Sequence, residues 1–258
     1  MKNYKYIYGP VPSWRLGSSL GIDPLSEKVK ICNFDCIYCQ IGKTKIFAKE
    51  RKVFVPTAKI IKEIKSLPAV RIDYITFSGS GEPTLAKNLG QMIKAIKKIS
   101  KEKIAVLTNS SLMHRKDVQK DLLLADFVVA KLDAHLQDIF VRINQPMKTI
   151  GLEKIIKGIK KFKGKFRGKL ALQIMFIDEN KKYAKQISKI VRKIDPDEVQ
   201  LNTPLRPCGV RPLSRKELAA IKQYFKGMNC IFVYGSEKKK VKPISKKETI
   251  KRRGKIQD

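Results

Sequence analysis

The residues best suited to chemistry in this sequence are three cysteines within the stretch "KICNFDCIYCQIG". Cys32, Cys36 and Cys39 have the spacing C-x3-C-x2-C and account for three of the five cysteines in the chain. Three thiolates so close together can bind soft, thiophilic metals. An odd number of cysteines without a secretion signal argues against a disulfide framework, so the spacing predicts a metal site.

Two kinds of metal site fit three clustered cysteines, and they differ in what completes the coordination. A structural zinc ion normally has four protein ligands. The fourth ligand would then come from a distant part of the chain, from Cys208, Cys230, His114 or His135. A cubane iron–sulfur cluster held by three cysteines instead leaves one iron open. Because three cysteines and no fourth ligand lie close together in the sequence, the spacing favours the cluster, whose open iron would bind a substrate or cofactor.

Polar and glycine-containing stretches follow the apolar runs that resemble buried strands. "SGSGEPTL" follows "YITF", "TNSS" follows "AVL", "DAH" follows "FVVAKL" with "RINQP" one helix later, and "NTPLRPCG" follows "EVQL". In parallel α/β folds the carboxyl ends of the strands carry the working residues. Glycines and a proline beside Glu82 indicate a tight backbone that can approach a small charged ligand closely. Together these stretches predict a ligand site at one edge of a sheet.

Strand and helix patterns alternate along the chain. Five short apolar runs indicate buried strands: "DYITFSG", "KIAVLTN", "DFVVAKLDA", "LALQIMF" and "EVQLN". Between them, apolar residues recur at helical spacing, as at Ile60, Ile64 and Leu67. Repeated βα units imply a parallel sheet with right-handed crossovers, either doubly wound or closed into a full or partial barrel. No linker rich in Pro, Gly or Ser divides residues 1–235, so we expect one domain there.

The composition is strongly basic, with a formal net charge of +33 over 258 residues. Much of this excess is lysine on the solvent faces of amphipathic helices, so charge alone leaves open whether the partner is a polyanion such as RNA. Residues 236–258 combine clustered basic residues with little apolar content, and we expect a flexible basic tail. No apolar run is long enough to cross a bilayer and no signal-peptide pattern is present. We therefore expect a cytoplasmic protein without a membrane partner.

The cysteine loop and the glycine-rich loop together carry a family resemblance. The cysteine spacing, with Tyr38 before the last cysteine, resembles the signature of the radical S-adenosylmethionine (SAM) superfamily, and "SGSGEPTL" is similar to its "GGEP" element. The resemblance covers about residues 7–235. It implies a [4Fe-4S] cluster, SAM bound at its open iron, and reductive cleavage of SAM to a 5′-deoxyadenosyl radical that abstracts hydrogen from a substrate. The implied fold is an α/β partial (β/α)6 barrel with parallel strands and the cluster loop after the first strand.

The resemblance also assigns roles to individual residues. Cys32, Cys36 and Cys39 would ligate the cluster, and Tyr38 would contact the adenine of SAM through its backbone. The residues implied to border SAM are Ser80, Gly81, Glu82 and Pro83 at the methionyl group, Thr108, Asn109 and Ser110 near the ribose or carboxylate, and Asn202 and Thr203 at the adenine edge.

Three further residues are catalytic candidates: Lys131, Asp133 and Cys208. Structural alternatives stay open for several site residues, since Tyr38 could pack on the barrel, Asn109 could cap a helix, and Lys131 could pair with Asp133. Cys208 could also be core, as Cys230 is expected to be. His135 could be a proton donor or a solvated residue at a helix start.

Within the superfamily, four stretches resemble a group of iron–sulfur oxidoreductases related to the enzyme that forms the tricyclic base of wyosine in tRNA. They are "YGPVPSWRLGSSLGIDPL", the cluster loop, "SGSGEPTL" and "QLNTPLRP". The relation implies a guanine in tRNA as substrate, with the basic surface following the phosphates. The archaeal wyosine enzymes carry additional N-terminal cysteines for a second cluster, whereas no cysteine precedes Cys32 here. The relation therefore implies the radical-generating half of that reaction and not the condensation with pyruvate.

Partners and rival function classes complete the expectations. We expect an electron donor such as a flavodoxin or ferredoxin. Radical modification of a peptide or small molecule is the main rival, and it would fit a charge spread evenly over the surface rather than concentrated at the barrel mouth. A non-catalytic, metal-bearing RNA-binding protein would explain the charge but not the clustered cysteines. A ferredoxin-like electron carrier would need a fourth cysteine.

Overall fold

The computed structural model describes residues 4–237 and 239–253 of the chain. Its strands are β1 (Ile7–Ser13), β2 (Gly17–Ile22), β3 (Ile31–Cys32), β4 (Ile46–Phe47), β5 (Tyr74–Phe77), β6 (Lys103–Thr108), β7 (Phe127–Lys131), β8 (Lys169–Met175), β9 (Glu198–Asn202) and β10 (Cys230–Phe232). Its α-helices are α1 (Thr57–Lys65), α2 (Leu89–Lys97), α3 (Lys116–Leu122), α4 (Gln137–Asn144), α5 (Leu152–Lys163), α6 (Asp178–Lys181), α7 (Ala184–Ile194), α8 (Arg215–Lys222) and α9 (Lys246–Arg253). Short 3-10 turns lie at Pro83–Leu85 and Gln223–Phe225.

Within the described residues, eight strands form one sheet in the order β1-β2-β5-β6-β7-β8-β9-β10. Every neighbouring pair from β2 to β10 is parallel, and the sheet curls into a half-barrel with helices. β3 and β4 form a separate parallel pair. The predicted partial (β/α)6 barrel is confirmed, and the cysteine loop comes after β2, the first of the parallel strands.

The apolar runs and stripes of the sequence form the interior. In β7, Phe127 to Ala130 are at most 2% exposed, which explains why this run shows no alternation of polar and apolar residues. In α5, Ile155, Ile159 and Phe162 form a buried stripe at helical spacing. Each such side chain contributes roughly 1.5–3 kcal/mol when it is removed from water. No α-helix of the described ranges combines the length and the apolar character needed to cross a membrane.

β1 differs from the predicted parallel pattern. It pairs antiparallel with β2, with Ser13 opposite Gly17 near the turn, and it lies at the edge of the sheet. Pro10 and Pro12 lack a backbone N–H and therefore suit an edge strand. Because antiparallel neighbours need only a tight turn, no helix separates β1 from β2, and the alternating pattern does not reveal this hairpin.

The C-terminal helix α9 packs against β1. Gly9 N donates a hydrogen bond of 3.0 Å to Thr249 Oγ1. Arg252 is 2% exposed and its Nε lies 3.2 Å from Oδ2 of the buried Asp23. These contacts tie the end of the described chain to the first hairpin of the sheet.

The basic segment is therefore more ordered than the expected flexible tail of residues 236–258. α9 buries Thr249 and Arg252, and Arg252 pairs with Asp23, which lies more than two hundred positions away and which local composition does not show. Position 238 and residues 254–258 of that predicted tail lie outside the described residues.

Candidate active site

A cavity of about 280 Å³ lies at the carboxyl ends of the parallel strands. Its wall includes Ser78 after β5, Thr108 at the end of β6 and Lys131 at the end of β7, and the three clustered cysteines line it too. Parallel strands bring their carboxyl ends to one edge of a sheet, where ligands bind. Loops that are far apart in the sequence therefore meet at one site.

Each sulfur of the cysteine loop has a nitrogen donor beside it. Lys30 Nζ lies 3.1 Å from Cys39 Sγ and also donates to Gly42 O at 2.9 Å. Asn109 Nδ2 lies 3.6 Å from Cys32 Sγ, and Asn144 Nδ2 lies 3.5 Å from Cys36 Sγ. Donors of this kind favour thiolates over thiols.

The surroundings of the cysteines fit an iron–sulfur cluster. Burial raises the pKa of the Cys32 thiol to about 12 and that of the Cys36 thiol to about 11. These thiolates therefore need a neighbouring cation, and coordinated metal supplies one. Thiolates of a cubane bind separate irons and need not converge on one point.

A mononuclear zinc site is not supported. Over the ranges 4–237 and 239–253, no three His, Cys, Asp or Glu side chains come together closely enough to hold one metal ion. In the described part of the chain, the cavity wall that contains the clustered cysteines includes none of the four candidate fourth ligands, Cys208, Cys230, His114 and His135.

The glycine-rich loop after β5 is held against β3 by backbone hydrogen bonds. Ile31 N donates to Ser80 O, and Glu82 N donates to Ile31 O, both at 3.2 Å. A Cβ atom on Gly81 would lie 1.7 Å from Ile31 O, so only glycine fits this crossing. From below, Asp23 Oδ2 accepts hydrogen bonds from Ser80 N at 3.1 Å and Ser80 Oγ at 2.5 Å.

The Glu82 carboxylate joins this loop to the end of β6. Oε1 accepts hydrogen bonds from Thr84 N (3.0 Å), Thr84 Oγ1 (2.6 Å) and Thr108 Oγ1 (2.7 Å), and Oε2 accepts one from Asn109 N (2.7 Å). Burial raises the pKa of Glu82, while the hydrogen bonds from Asn109, Thr84 and Thr108 oppose that shift. Glu82 lines the cavity, but its oxygens are already engaged in fixing the loop.

Asp133 is buried and is hydrogen-bonded to Tyr38 of the cysteine loop. It accepts hydrogen bonds from the Tyr38 hydroxyl, from Asn144 Nδ2 at 2.8 Å and from Met175 N at 2.7 Å. Burial raises the pKa of Tyr38 well above its usual value, so the phenol remains a donor. Lys131 Nζ lies 3.5 Å from Asp133 Oδ1 and 4.7 Å from the centre of the Tyr38 ring. Of these, Lys131 and Tyr38 reach the cavity wall, and Asp133 does not.

The structure brings part of the predicted site to the cavity wall. The predicted residues that line the cavity are Cys32, Cys36, Cys39, Tyr38, Gly81, Glu82, Thr108, Asn109 and Lys131. Those placed behind or beside the wall are Ser80, Pro83, Ser110, Asp133, Asn202, Thr203 and Cys208. Ser110 is fully buried and its Oγ donates to Lys131 O at 3.0 Å.

The predicted residues after β9 hold the following loop. Thr203 Oγ1 accepts a hydrogen bond from Leu213 N at 2.8 Å, and Cys208 Sγ lies 3.3 Å from Val210 O. His135 also lies outside the cavity wall and packs on the Tyr183 ring, with 4.7 Å between ring centroids. None of these contacts reaches the clustered cysteines.

Several residues of the site were missed by the sequence analysis. They are Asp23, Lys30 and Asn144, together with Arg15, Arg206, Arg252 and Arg253 of the cavity wall. Lys30 lies two positions before the first cysteine, so its side chain could have been assigned to the cysteine loop. The arginines come from separate segments and belong to no motif.

Comparison with known proteins agrees with this geometry. The model of the radical SAM superfamily matches residues 27–191. A UPF0026 protein of Synechocystis is 43% identical over 211 residues, covering 81% of this chain and 78% of that protein.

Among solved structures, archaeal TYW1 superposes with a TM-score of 0.60 at 16% identity, covering 89% of this chain and 77% of that one. The protein anSMEcpe, solved with bound AdoMet, gives a TM-score of 0.62 at 17% identity over 84% of this chain and 64% of that one. These two likenesses show a shared fold.

Fold and site together define an α/β half-barrel enzyme whose cavity is lined by three clustered cysteines. The chain belongs to the radical SAM superfamily, and within it to the UPF0026 group. Members of the superfamily use a [4Fe-4S] cluster and SAM.

Proposed function

We propose that this enzyme cleaves SAM reductively and directs the resulting hydrogen abstraction at a base in RNA, with tRNA as the substrate class. The observation that supports the proposal is one cavity whose wall combines the three clustered cysteines, the Gly81–Glu82 loop and a set of cationic side chains. When bound there, the cluster and SAM supply a one-electron reduction and the deoxyadenosyl group that removes hydrogen.

The chain's own residues position these groups. Cys32, Cys36 and Cys39 would hold three irons, and the nitrogen donors beside their sulfurs fix the loop. Burial opposes the charge of Lys30, but Cys39 and the other two thiols outweigh it, so the pKa of Lys30 is raised and the ammonium group stays charged. The buried Glu82 network fixes the loop that would border the methionyl group against the end of β6.

The RNA half of the proposal is supported by charge and by resemblance. Six Arg and Lys side chains line the cavity, and a substrate that carries phosphates would be attracted to them. The resemblance of four sequence stretches to the wyosine group supports the same substrate class.

We propose further that the electron donor, a flavodoxin or ferredoxin, docks at β4. Ile46 and Phe47 are 48% and 47% exposed, and Phe47 pairs in register with Cys32. Lys45 and Lys49 flank them and are exposed. An apolar surface ringed by lysines complements an acidic carrier protein, and it lies one strand away from a cluster ligand.

The experiment that tests SAM cleavage uses protein purified without oxygen and reconstituted with iron and sulfide. With dithionite and SAM, the wild type is expected to form 5′-deoxyadenosine, measured by mass spectrometry, and a Cys32→Ala, Cys36→Ala, Cys39→Ala variant is expected to form none. Cys230→Ala is the matched control, since Cys230 is outside the described cavity wall. A wild type that assembles its cluster and forms no product would contradict the proposal.

The substrate is tested in the same assay. Added tRNA is expected to increase 5′-deoxyadenosine formation and to acquire a mass change in one nucleoside after digestion. If tRNA leaves both readouts unchanged while a peptide digest or a metabolite extract increases product formation, the RNA half is wrong and SAM cleavage stands.

A further inference from the structure

The cavity wall is strongly cationic. Among the described residues, its charged members are Arg15, Lys30, Lys131, Arg206, Arg252 and Arg253 against the single carboxylate of Glu82. Half of these cations have anionic partners elsewhere. Lys30 contacts Cys39 and Asp35, Lys131 contacts Asp133, and Arg252 contacts Asp23 and Glu248.

The other three, Arg15, Arg206 and Arg253, are different. No carboxylate in the described part of the chain forms an ion pair with any of their guanidinium groups. Arg15 Nε and Arg206 Nη1 are buried without a hydrogen-bond partner. Arg206 Nε is held by Gln40 Oε1 at 2.7 Å, which leaves the rest of its donors for the cavity. Leaving a charged donor buried and unsatisfied is costly, so such an arrangement needs a ligand to explain it.

Three positive charges that line one space also repel one another. Burial lowers the pKa of Arg15 and that of Arg206 to about 10, and the charge of Arg253 acts in the same direction on both. All three remain cationic at neutral pH. An anion with more than one negative charge would relieve this repulsion better than a single carboxylate.

A second, smaller cavity of about 60 Å³ shares Arg15, Arg253 and Ser78 with the first. Its wall adds the hydroxyl-bearing residues Ser19 and Thr76, whose side chains are hydrogen-bonded to each other at 2.7 Å. Arg15 and Arg253 therefore line both cavities, and Arg206 lines the first.

We propose that Arg15, Arg206 and Arg253 form an anion site that binds a phosphate group of the substrate nucleotide. The inference rests on the proposed function, because it names the chemical group by which an RNA nucleotide would be held while its base faces the cofactor. Guanidinium groups bind phosphate oxygens through paired N–H donors, and three of them match a phosphate or pyrophosphate. The phosphate belongs either to the RNA backbone or to a free nucleotide.

The test measures pyrophosphate binding by calorimetry to the reconstituted full chain that is saturated with SAM. Arg15→Gln, Arg206→Gln and Arg253→Gln are each expected to weaken binding about 10-fold or more, because each removes a charge-assisted hydrogen bond. Arg167→Gln is the matched control, since Arg167 is exposed and lies before the amino end of β8, whereas the cavity lies at the carboxyl ends of the strands. Circular dichroism checks that each variant folds. Where a Gln variant does not fold, the Arg→Lys variant at the same position is measured in its place, because it keeps the positive charge.

Three outcomes would overturn the inference. One is that the wild type does not bind pyrophosphate. Another is that the three Gln variants bind it as tightly as Arg167→Gln does, and the third is that SAM and pyrophosphate compete for binding. Competition would mean that the arginines hold the SAM carboxylate. Deoxyadenosine formation by the wild type is scored separately, so failure of the proposed function and failure of this site give different results.

Two further titrations distinguish the sources of the phosphate. A nucleoside triphosphate and a tRNA anticodon-stem fragment are each measured with the wild type, the Gln variants and Arg167→Gln at one fixed salt concentration. Loss of RNA affinity in the Gln variants alone assigns the site to the RNA backbone. Loss of nucleotide affinity alone supports the phosphate site with a free nucleotide as its source. Equal RNA and nucleotide affinities across all variants would contradict the proposal.

Discussion

The cysteines of the cluster loop each depend on one nitrogen donor from a different part of the chain. Lys30 precedes the loop, Asn109 follows β6 and Asn144 ends α4. Hydrogen bonds to cluster sulfurs and nearby charge are among the factors that set the reduction potential of an iron–sulfur centre. At the residue scale, the barrel therefore places one nitrogen donor beside each sulfur that would ligate the cluster.

Gly81→Ala is expected to disrupt the site. Its Cβ would lie 1.7 Å from Ile31 O, so the loop must move away from β3 and lose the hydrogen bonds that cross there. We expect destabilisation of about 1–3 kcal/mol or more, measured by urea unfolding, together with loss of SAM affinity. Gly164→Ala is the matched control, because Gly164 has a helical φ of −64° and open space around its Cβ position. Equal stability and SAM affinity in both variants would show that the crossing is dispensable.

At the scale of elements, β4 connects Cys32, with which Phe47 pairs, to the protein surface. Phe47→Ser is expected to slow SAM cleavage several-fold when a flavodoxin with its reductase supplies electrons, because the apolar docking surface is lost. With dithionite as the reductant, the rate should match that of the wild type. The measurement is deoxyadenosine formation with each reductant.

Tyr224→Ser is the control for this prediction, since Tyr224 is an aromatic residue of similar exposure, 48%, in the 3-10 turn after α8. Docking at β4 would be contradicted if Phe47→Ser and Tyr224→Ser lost the same fraction of the flavodoxin-dependent rate. It would also be contradicted if Phe47→Ser lost as much rate with dithionite as with flavodoxin.

The start of α8 provides a pH-dependent contribution to stability. Ser214 and Glu217 form a capping box, in which Glu217 Oε2 accepts from Ser214 N at 2.8 Å. The backbone hydrogen bond from Ser214, and then Lys181, lower the pKa of Glu217 to about 2. A lowered pKa means that the carboxylate stabilises the fold above its ordinary pKa of about 4.3, and that this contribution is lost as pH falls toward 2.

We therefore expect the difference in melting temperature between the wild type and Glu217→Gln to be largest above about pH 4.3 and to shrink toward pH 2. Glu237→Gln, at an exposed position outside any helix, should show no such trend. A Glu217→Gln difference that stays constant across this range would show that the charge of Glu217 does not matter for the cap.

At the scale of the whole molecule, the buried ion pair of Asp23 and Arg252 connects α9 and the segment after β2 to the loop after β5 that contains Ser80. Asp23 accepts hydrogen bonds from Ser80 and pairs with Arg252 of α9, and both members of the pair are 1% exposed at their side chains. The same helix carries Arg253 to the cavity wall. Movement of α9 would therefore change the Ser80 loop and the proposed anion site together.

Arg252→Met is expected to cost about 3 kcal/mol in the free energy of unfolding, because it leaves Asp23 buried without its cation. Hydrogen exchange in α9 and β1 should also become faster. Lys251→Met, at the exposed neighbouring position, should change neither quantity. If Arg252→Met is as stable as Lys251→Met, the pair does not hold the helix in place.

The sequence by itself determined what depends on local spacing. Cys32, Cys36 and Cys39 lie within eight positions, so one short segment carries all three thiols. The stripe of Ile155, Ile159 and Phe162 follows from helix periodicity. Alternation of such stripes with buried runs predicted a parallel α/β sheet with its site at the carboxyl ends of the strands, whereas the partial barrel was implied by the family resemblance.

Only the tertiary structure decided which side chains surround that loop. Asp133 and Lys131 are two positions apart in the sequence. Asp133 accepts a hydrogen bond from Tyr38 and is not part of the cavity wall, whereas Lys131 lines the cavity. Arg15, Arg206 and Arg253 meet because strand order brings a hairpin, a loop after β9 and a C-terminal helix to one place. No local pattern encodes such a meeting, since its stabilisation comes from contacts between segments whose separation in sequence carries no periodic signal.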